Sequence, residues 1–225
     1  MFKRFDVGSM PSNSVVCMFG RRETGQNRIV RRLLSSHADI PCVTLISPTE
    51  DMHGYYHHYV NPNVVVHDRY SAEVTAGVLE RQTTLLRQKK YDDPSLDNRA
   101  ALVLEDCLFD KAWHTDTSLR TLIMNSRRFA VLCILAFQMV ERVPPIIRGN
   151  ADFTVICRER SKASRETLFE LYANVFATFD DFCRALDAIT DPPGGGPPMA
   201  MVIANCVSSN KLEDQVFCLP FTDDP

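Results

Sequence analysis

Gly20 and Gly25 enclose Arg21, Arg22, Glu23 and Thr24 in the spacing G-x-x-x-x-G, directly after the apolar run Val15-Val16-Cys17-Met18-Phe19. A buried strand, a glycine-bounded turn and a helix, in that order, form a cradle for phosphate, because backbone N–H groups and the helix N-terminus point at the anion. Loops of this kind continue with a Lys that reaches the β- and γ-phosphates and a Ser or Thr hydroxyl that binds Mg²⁺. Here those positions hold Gln26 and Asn27. Gln brings no charge to a triphosphate bearing about four negatives, and losing such a cation costs several kcal/mol in the transition state, on the order of 10³-fold in rate. Arg21 and Arg22 inside the loop, and Arg28 just beyond it, are the guanidiniums placed to substitute, while Glu23 opposes them. Residues 20–27 are the candidate nucleotide-binding set.

Glu105 and Asp106 end the apolar run Ala101-Leu102-Val103-Leu104. Nucleotide hydrolysis on such a loop needs one acid at a strand end for the Mg²⁺ shell and another to orient or deprotonate water, and adjacent carboxylates can supply both. Gln138 ends the run Phe129 to Phe137 and would emerge at the same sheet edge, where a polar side chain can sense the γ-phosphate through the attacking water. Arg127 and Arg148 are candidates for a finger on a neighbouring subunit's nucleotide.

To hold these residues at one edge, the chain must fold as alternating strands and helices, and its patterning does alternate. The apolar runs predict strands at Val15 to Phe19, Pro41 to Ser47, Asn63 to His67, Ala100 to Leu104, Phe129 to Phe137, Phe153 to Cys157, Met199 to Cys206 and Gln215 to Leu219. Helices are predicted at Gln26 to Ser36, Ser71 to Lys90, Thr115 to Arg127, Ser164 to Asn174 and Asp180 to Thr190. The expected fold class is α/β, a mostly parallel central sheet flanked by helices in one domain spanning residues 1–225, with 191–198 (DPPGGGPP) as a surface loop.

Composition narrows the function classes. With 225 residues and 45% hydrophobic side chains, one sizeable core can be buried. A net charge of −3 argues against a chain coated in basic surface for wrapping nucleic acid, although a ring-shaped motor needs only a few basic groups at its pore. Eight cysteines without a C-x-x-C pair sit mostly in apolar runs as small hydrophobes, which implies a reducing compartment. No apolar stretch reaches about 18 residues and no signal-peptide core follows the first residues, so neither a transmembrane nor a secreted product is expected. His53, His57 and His58 lack cysteine or carboxylate at ligand spacing, so no zinc site is expected. Trp113 is expected to pack the loop after Asp106 against the next helix.

Several segments together resemble the genome-packaging ATPases of nucleocytoplasmic large DNA viruses, the poxvirus-like branch of the FtsK/HerA superfamily. They are GRRETG at 20–25, ISPTED at 46–51, LVLEDCLFD at 102–110, MNSRRFAVLCILAFQ at 124–138 and VPPIIRGNADFTVICRE at 143–159, with LYANVFATFDDFCRALD at 171–187 and SNKLEDQVF at 209–217. The resemblance runs nearly end to end. It implies a RecA-like P-loop NTPase core using ATP and Mg²⁺ and translocating double-stranded DNA into a preformed capsid. Its partners would be capsid or membrane-associated assembly proteins, in a homo-oligomeric ring or with an active paralogue, inside the infected cell or the virion. It gives Gly20 and Gly25 to the loop, Glu105 and Asp106 to the Mg²⁺ and water pair, Gln138 to the sensor, and Arg148 and Arg127 to the arginine positions. The chain departs from the pattern at Gln26, Asn27 and Glu105, where the family has Lys, Ser or Thr, and Asp. A Glu can still reach a Mg²⁺-bound water. The loop changes imply either a motor rescued by its arginines or a pseudo-ATPase kept for assembly.

Overall fold

The computed structural model describes residues 2–48, 56, 63–105, 107, 112–140, 143–192 and 194–221. Among the described residues, nine strands form one sheet in the order β1-β9-β8-β7-β2-β6-β5-β3-β4. They are β1 (Lys3–Arg4), β2 (Val15–Phe19), β3 (Val43–Ile46), β4 (Val64–His67), β5 (Ala100–Glu105), β6 (Val131–Phe137), β7 (Phe153–Ile156), β8 (Met199–Ala204) and β9 (Val216–Pro220). Among these strands only β8 runs against its neighbours. Every residue of β2, β5 and β6 is buried, which is why these segments read as unbroken apolar runs instead of alternating ones.

Successive side chains still divide between two cores. Val15, Cys17 and Phe19 face one, and Val16 and Met18 the other. The first core is closed by α2 (Ala72–Tyr91), α4 (Thr117–Met124), α7 (Lys162–Tyr172) and α8 (Phe179–Thr190). Ser71, Asp116, Ser161 and Thr178 start these four helices, each accepting a hydrogen bond from a first-turn N–H. The second core is closed by α1 (Gln26–Ser35), which contributes Ile29, Val30, Leu33 and Leu34, and by the apolar side chains of residues 5–10.

Two expectations about local structure change, and some short elements were not expected. The helix expected from Thr115 to Arg127 is interrupted at Asn125, between α4 and the single turn α5 (Ser126–Phe129). The strand expected from Phe129 begins at Val131, because Ala130 takes a left-handed φ of 53° that ends α5. Short elements at Lys3–Arg4, α3 (Ala112–Thr115), α6 (Pro145–Arg148) and α9 (Leu212–Gln215) carry too few apolar residues to show a period. Among the described residues, no helix is long and apolar enough to cross a membrane.

Candidate nucleotide-binding site

The loop from Gly20 to Gly25 leaves the end of β2 and turns directly into α1. Its shape is set by backbone. The Gly20 N–H donates to Phe137 O (3.1 Å) at the end of β6, and Thr24 N and Oγ1 both donate back to Arg21 O. Glu23 sits at φ 64° and Gly25 at φ 91°, the left-handed region in which only a residue without Cβ is unstrained. A Cβ at Gly20 would lie 2.7 Å from Thr24 Oγ1 and 3.0 Å from Cys157 Cβ, so close packing also demands glycine there. Gly25 caps α1 without a side-chain hydrogen bond and the first turn carries no acid, which leaves the helix N-terminus directed at the loop. This backbone fits a phosphate.

Gln26 is turned away from that cradle. Its side chain is buried, and Nε2 donates to Met18 O (3.3 Å) and Phe137 O (3.1 Å), bridging the ends of β2 and β6 underneath the loop. Asn27 is exposed, and its Oδ1 accepts the N–H of Arg28 (3.0 Å). The cradle therefore has neither the ammonium nor the hydroxyl that a Mg²⁺-triphosphate meets in a standard loop.

The arginines are in different states. Arg21 Nε is held by Glu159 Oε2 (3.1 Å), while Glu159 Oε1 accepts the Ser161 N–H (2.7 Å), so the loop is tied to the turn after β7. Arg22 and Arg28 are exposed, and among the described residues neither side chain has an ion pair.

Glu105 ends β5 and is buried, with Ser47 Oγ 3.5 Å from its Oε2. Asp106 lies outside the described residues, as do His53, His57 and His58. Gln138 follows β6 directly and is exposed at the edge from which the loop leaves. Trp113 is buried with its ring 5.7 Å from that of Phe137.

Arg127 and Arg148 are placed elsewhere. The Arg127 guanidinium bonds Asp152 Oδ1 (2.7 Å), and Asp152 Oδ2 accepts the N–H of Val15, the first residue of β2. Arg127 is thus at the N-terminal edge of the sheet, a strand's length from the loop of its own chain. Arg148 donates to Val143 O (2.9 Å) and lies near Tyr172, whose ring packs on Phe19 at 4.4 Å. Burial raises the Tyr172 pKa, and so does Cys17, against the opposing charge of Arg148.

Two contacts at the loop had no local signal in the sequence. Glu159 is one, known beforehand only as the end of a family-like segment. The other is Phe221, which follows β9 and places its ring where a Gly25 side chain would begin.

No family model matches the chain. It is 25% identical over 217 residues to the uncharacterized protein L437 of Acanthamoeba polyphaga mimivirus, covering 95% of this chain and 74% of that protein. The genome-packaging NTPase B204 of Sulfolobus turreted icosahedral virus 2, solved with AMP, superposes with a TM-score of 0.56 at 14% identity, covering 93% of this chain and 98% of that one. The chain shares the fold of that packaging NTPase. The same architecture extends to the pCW3 conjugation coupling protein TcpA, with a TM-score of 0.61 at 14% identity over 99% of this chain and 70% of that one.

Proposed function

We propose that this chain is a subunit of a viral DNA-packaging machine, an ATPase by fold, whose phosphate loop holds nucleotide without the usual lysine and by itself hydrolyses it slowly. Support for the packaging role comes from the packaging NTPase B204, whose fold it shares, and from relatives in large DNA viruses. Support for slow turnover comes from one observation: the Gln26 amide, at the lysine position, is spent on the carbonyls of Met18 and Phe137.

In this reading the loop N–H groups and the start of α1 bind the phosphates, with about half an elementary charge from the helix dipole. ATP would bring Mg²⁺ with it, and Glu105 with Asp106 would hold and orient water at the strand end. Gln138, beside them, would report the state of the γ-phosphate along β6. The subunit would act on double-stranded DNA at the capsid within the infected cell, in a ring of its own copies or beside a lysine-bearing paralogue.

A second reading, an arginine-rescued motor, is favoured by the exposed guanidiniums of Arg22 and Arg28 flanking the cradle. Arg127 and Arg148 would serve either reading as contacts to the neighbouring subunit.

Calorimetric titration with Mg-ATP, together with phosphate release with and without double-stranded DNA, separates the two. We expect wild type to bind weakly and turn over near background, and Gln26→Lys combined with Asn27→Thr to gain turnover. DNA-stimulated hydrolysis by wild type, lost in Arg22→Ala or Arg28→Ala, would instead establish the rescued motor. Absence of nucleotide binding in both wild type and the repaired variant would refute the nucleotide site.

A further inference from the structure

We propose that Phe221 is a positioning residue for the phosphate loop and sets how tightly the chain holds a nucleoside polyphosphate. This rests on the reading of residues 20–27 as a phosphate site. Three observations join the end of β9 to the loop. A Cβ built on Gly25 would stand 2.4 Å from Phe221 Cε2 and 2.6 Å from its Cδ2, so the ring lies against the Gly25 backbone with no space between. Arg32, two turns along α1, donates from Nη1 to Pro220 O (2.6 Å), which fixes the residue before Phe221 to the same helix. Phe221 is itself 9% exposed and belongs to the core that α1 closes.

The loop needs an external support of this kind. Glu23 holds left-handed backbone, which is costly for a residue with a Cβ and persists only where surroundings enforce it, and Gly25 holds the same region with no side chain of its own to fix it there. Gln26 holds the loop from below and the Arg21–Glu159 pair holds its first half. At Gly25, the pivot into α1, the Phe221 ring is the contact in the way of relaxation. A glycine freed of that ring would sample other φ values, and the N–H groups that receive phosphate would lose their preorganisation.

The test uses the intact chain with two probes, inorganic pyrophosphate and ADP, titrated into wild type, Phe221→Ala and Phe221→Leu. Hydrogen exchange of the ligand-free proteins is measured alongside. We expect Phe221→Ala to weaken both probes about 10-fold and to speed exchange in residues 20–28 while β5 and β6 stay protected. Phe221→Leu, which keeps apolar bulk over Gly25, should retain most of the affinity and protection. Weakening of ADP alone would overturn the proposal in favour of direct contact with the base. Unchanged loop exchange, or protection lost equally from β5 and β6, would also overturn it. If wild type binds neither probe, the phosphate-site reading fails, and the proposal's claim on affinity with it, while the exchange comparison still decides whether Phe221 holds the loop.

Discussion

The two edges of the central strands treat their polar groups differently. At the N-terminal edge, Asp152 accepts the Val15 N–H and pairs with Arg127, so its charge is matched and a strand's first donor is satisfied. At the C-terminal edge the neutral amide of Gln26 satisfies carbonyls from below, while Arg22 and Arg28 stand exposed above with no ion pair among the described residues. Among the described residues, the first edge pairs its charge internally, while at the second Arg22, Arg28 and Glu23 stand exposed without an ion pair. The proposed nucleotide site lies at the C-terminal edge, where the general rule for open parallel sheets puts ligands.

The sharpest way to break this contrast is to restore charge under the loop. Gln26→Lys with Asn27→Thr should raise hydrolysis by up to about 10³-fold, read by phosphate release, since a transition-state cation is worth several kcal/mol. At the opposite edge, Asp152→Ala should lower stability by about 1–3 kcal/mol, through an unsatisfied donor at Val15, without altering nucleotide affinity. Chemical denaturation and calorimetry on the same variant check both halves. If affinity falls as well, the two edges are not independent.

A further carboxylate sharpens the picture through pH. Asp116 caps α4 on the C-terminal side of β5, accepting hydrogen bonds from Tyr70, Thr75 and the N–H groups of Ser118 and Leu119. Burial pushes its pKa up, but these donors outweigh burial and the pKa lies below that of an ordinary carboxylate. Its stabilisation is therefore complete above the unfolded-state value near 4 and is lost as pH falls through the lower folded-state value. Asp116→Asn should flatten that part of the acid limb in a series of urea melts between about pH 2 and 6. Arg127→Ala should cost less than about 1 kcal/mol, because its guanidinium is largely exposed. The smallest effect concerns thiols. Burial pushes Cys17, Cys133 and Cys157 up to about 12, so a thiol reagent at pH 8 should label exposed Cys206 first and leave these three unmodified in the native protein.

Much of the sheet was legible in the sequence because β2, β5 and β6 are buried on both faces and so consist of apolar residues throughout. The G-x-x-x-x-G spacing likewise located the loop, since close packing at Gly20 and positive φ at Gly25 exclude other residues. The break at Asn125 was not legible, because Leu119, Leu122 and Ile123 keep helical spacing up to it and the residues beyond are tolerated by either conformation. β1 was missed since both of its residues are exposed and polar. At the site, the residue type at position 26 was plain, but the direction of its amide depends on two carbonyls from different strands. Phe221 gave no signal at all, because it reaches Gly25 only through the register of β7, β8 and β9.

The double bond-making of Gln26 also provides a spectroscopic handle. One side-chain amide nitrogen donates to two carbonyls of buried residues, one in β2 and one in β6. In an ¹⁵N-resolved spectrum that amide should give a pair of resonances that exchange slowly with water, apart from those of exposed glutamines and asparagines. Any event that draws residue 26 upward into the loop would merge the pair with the exposed set, so nucleotide engagement can be followed at the lysine position in isotopically labelled protein without a substitution.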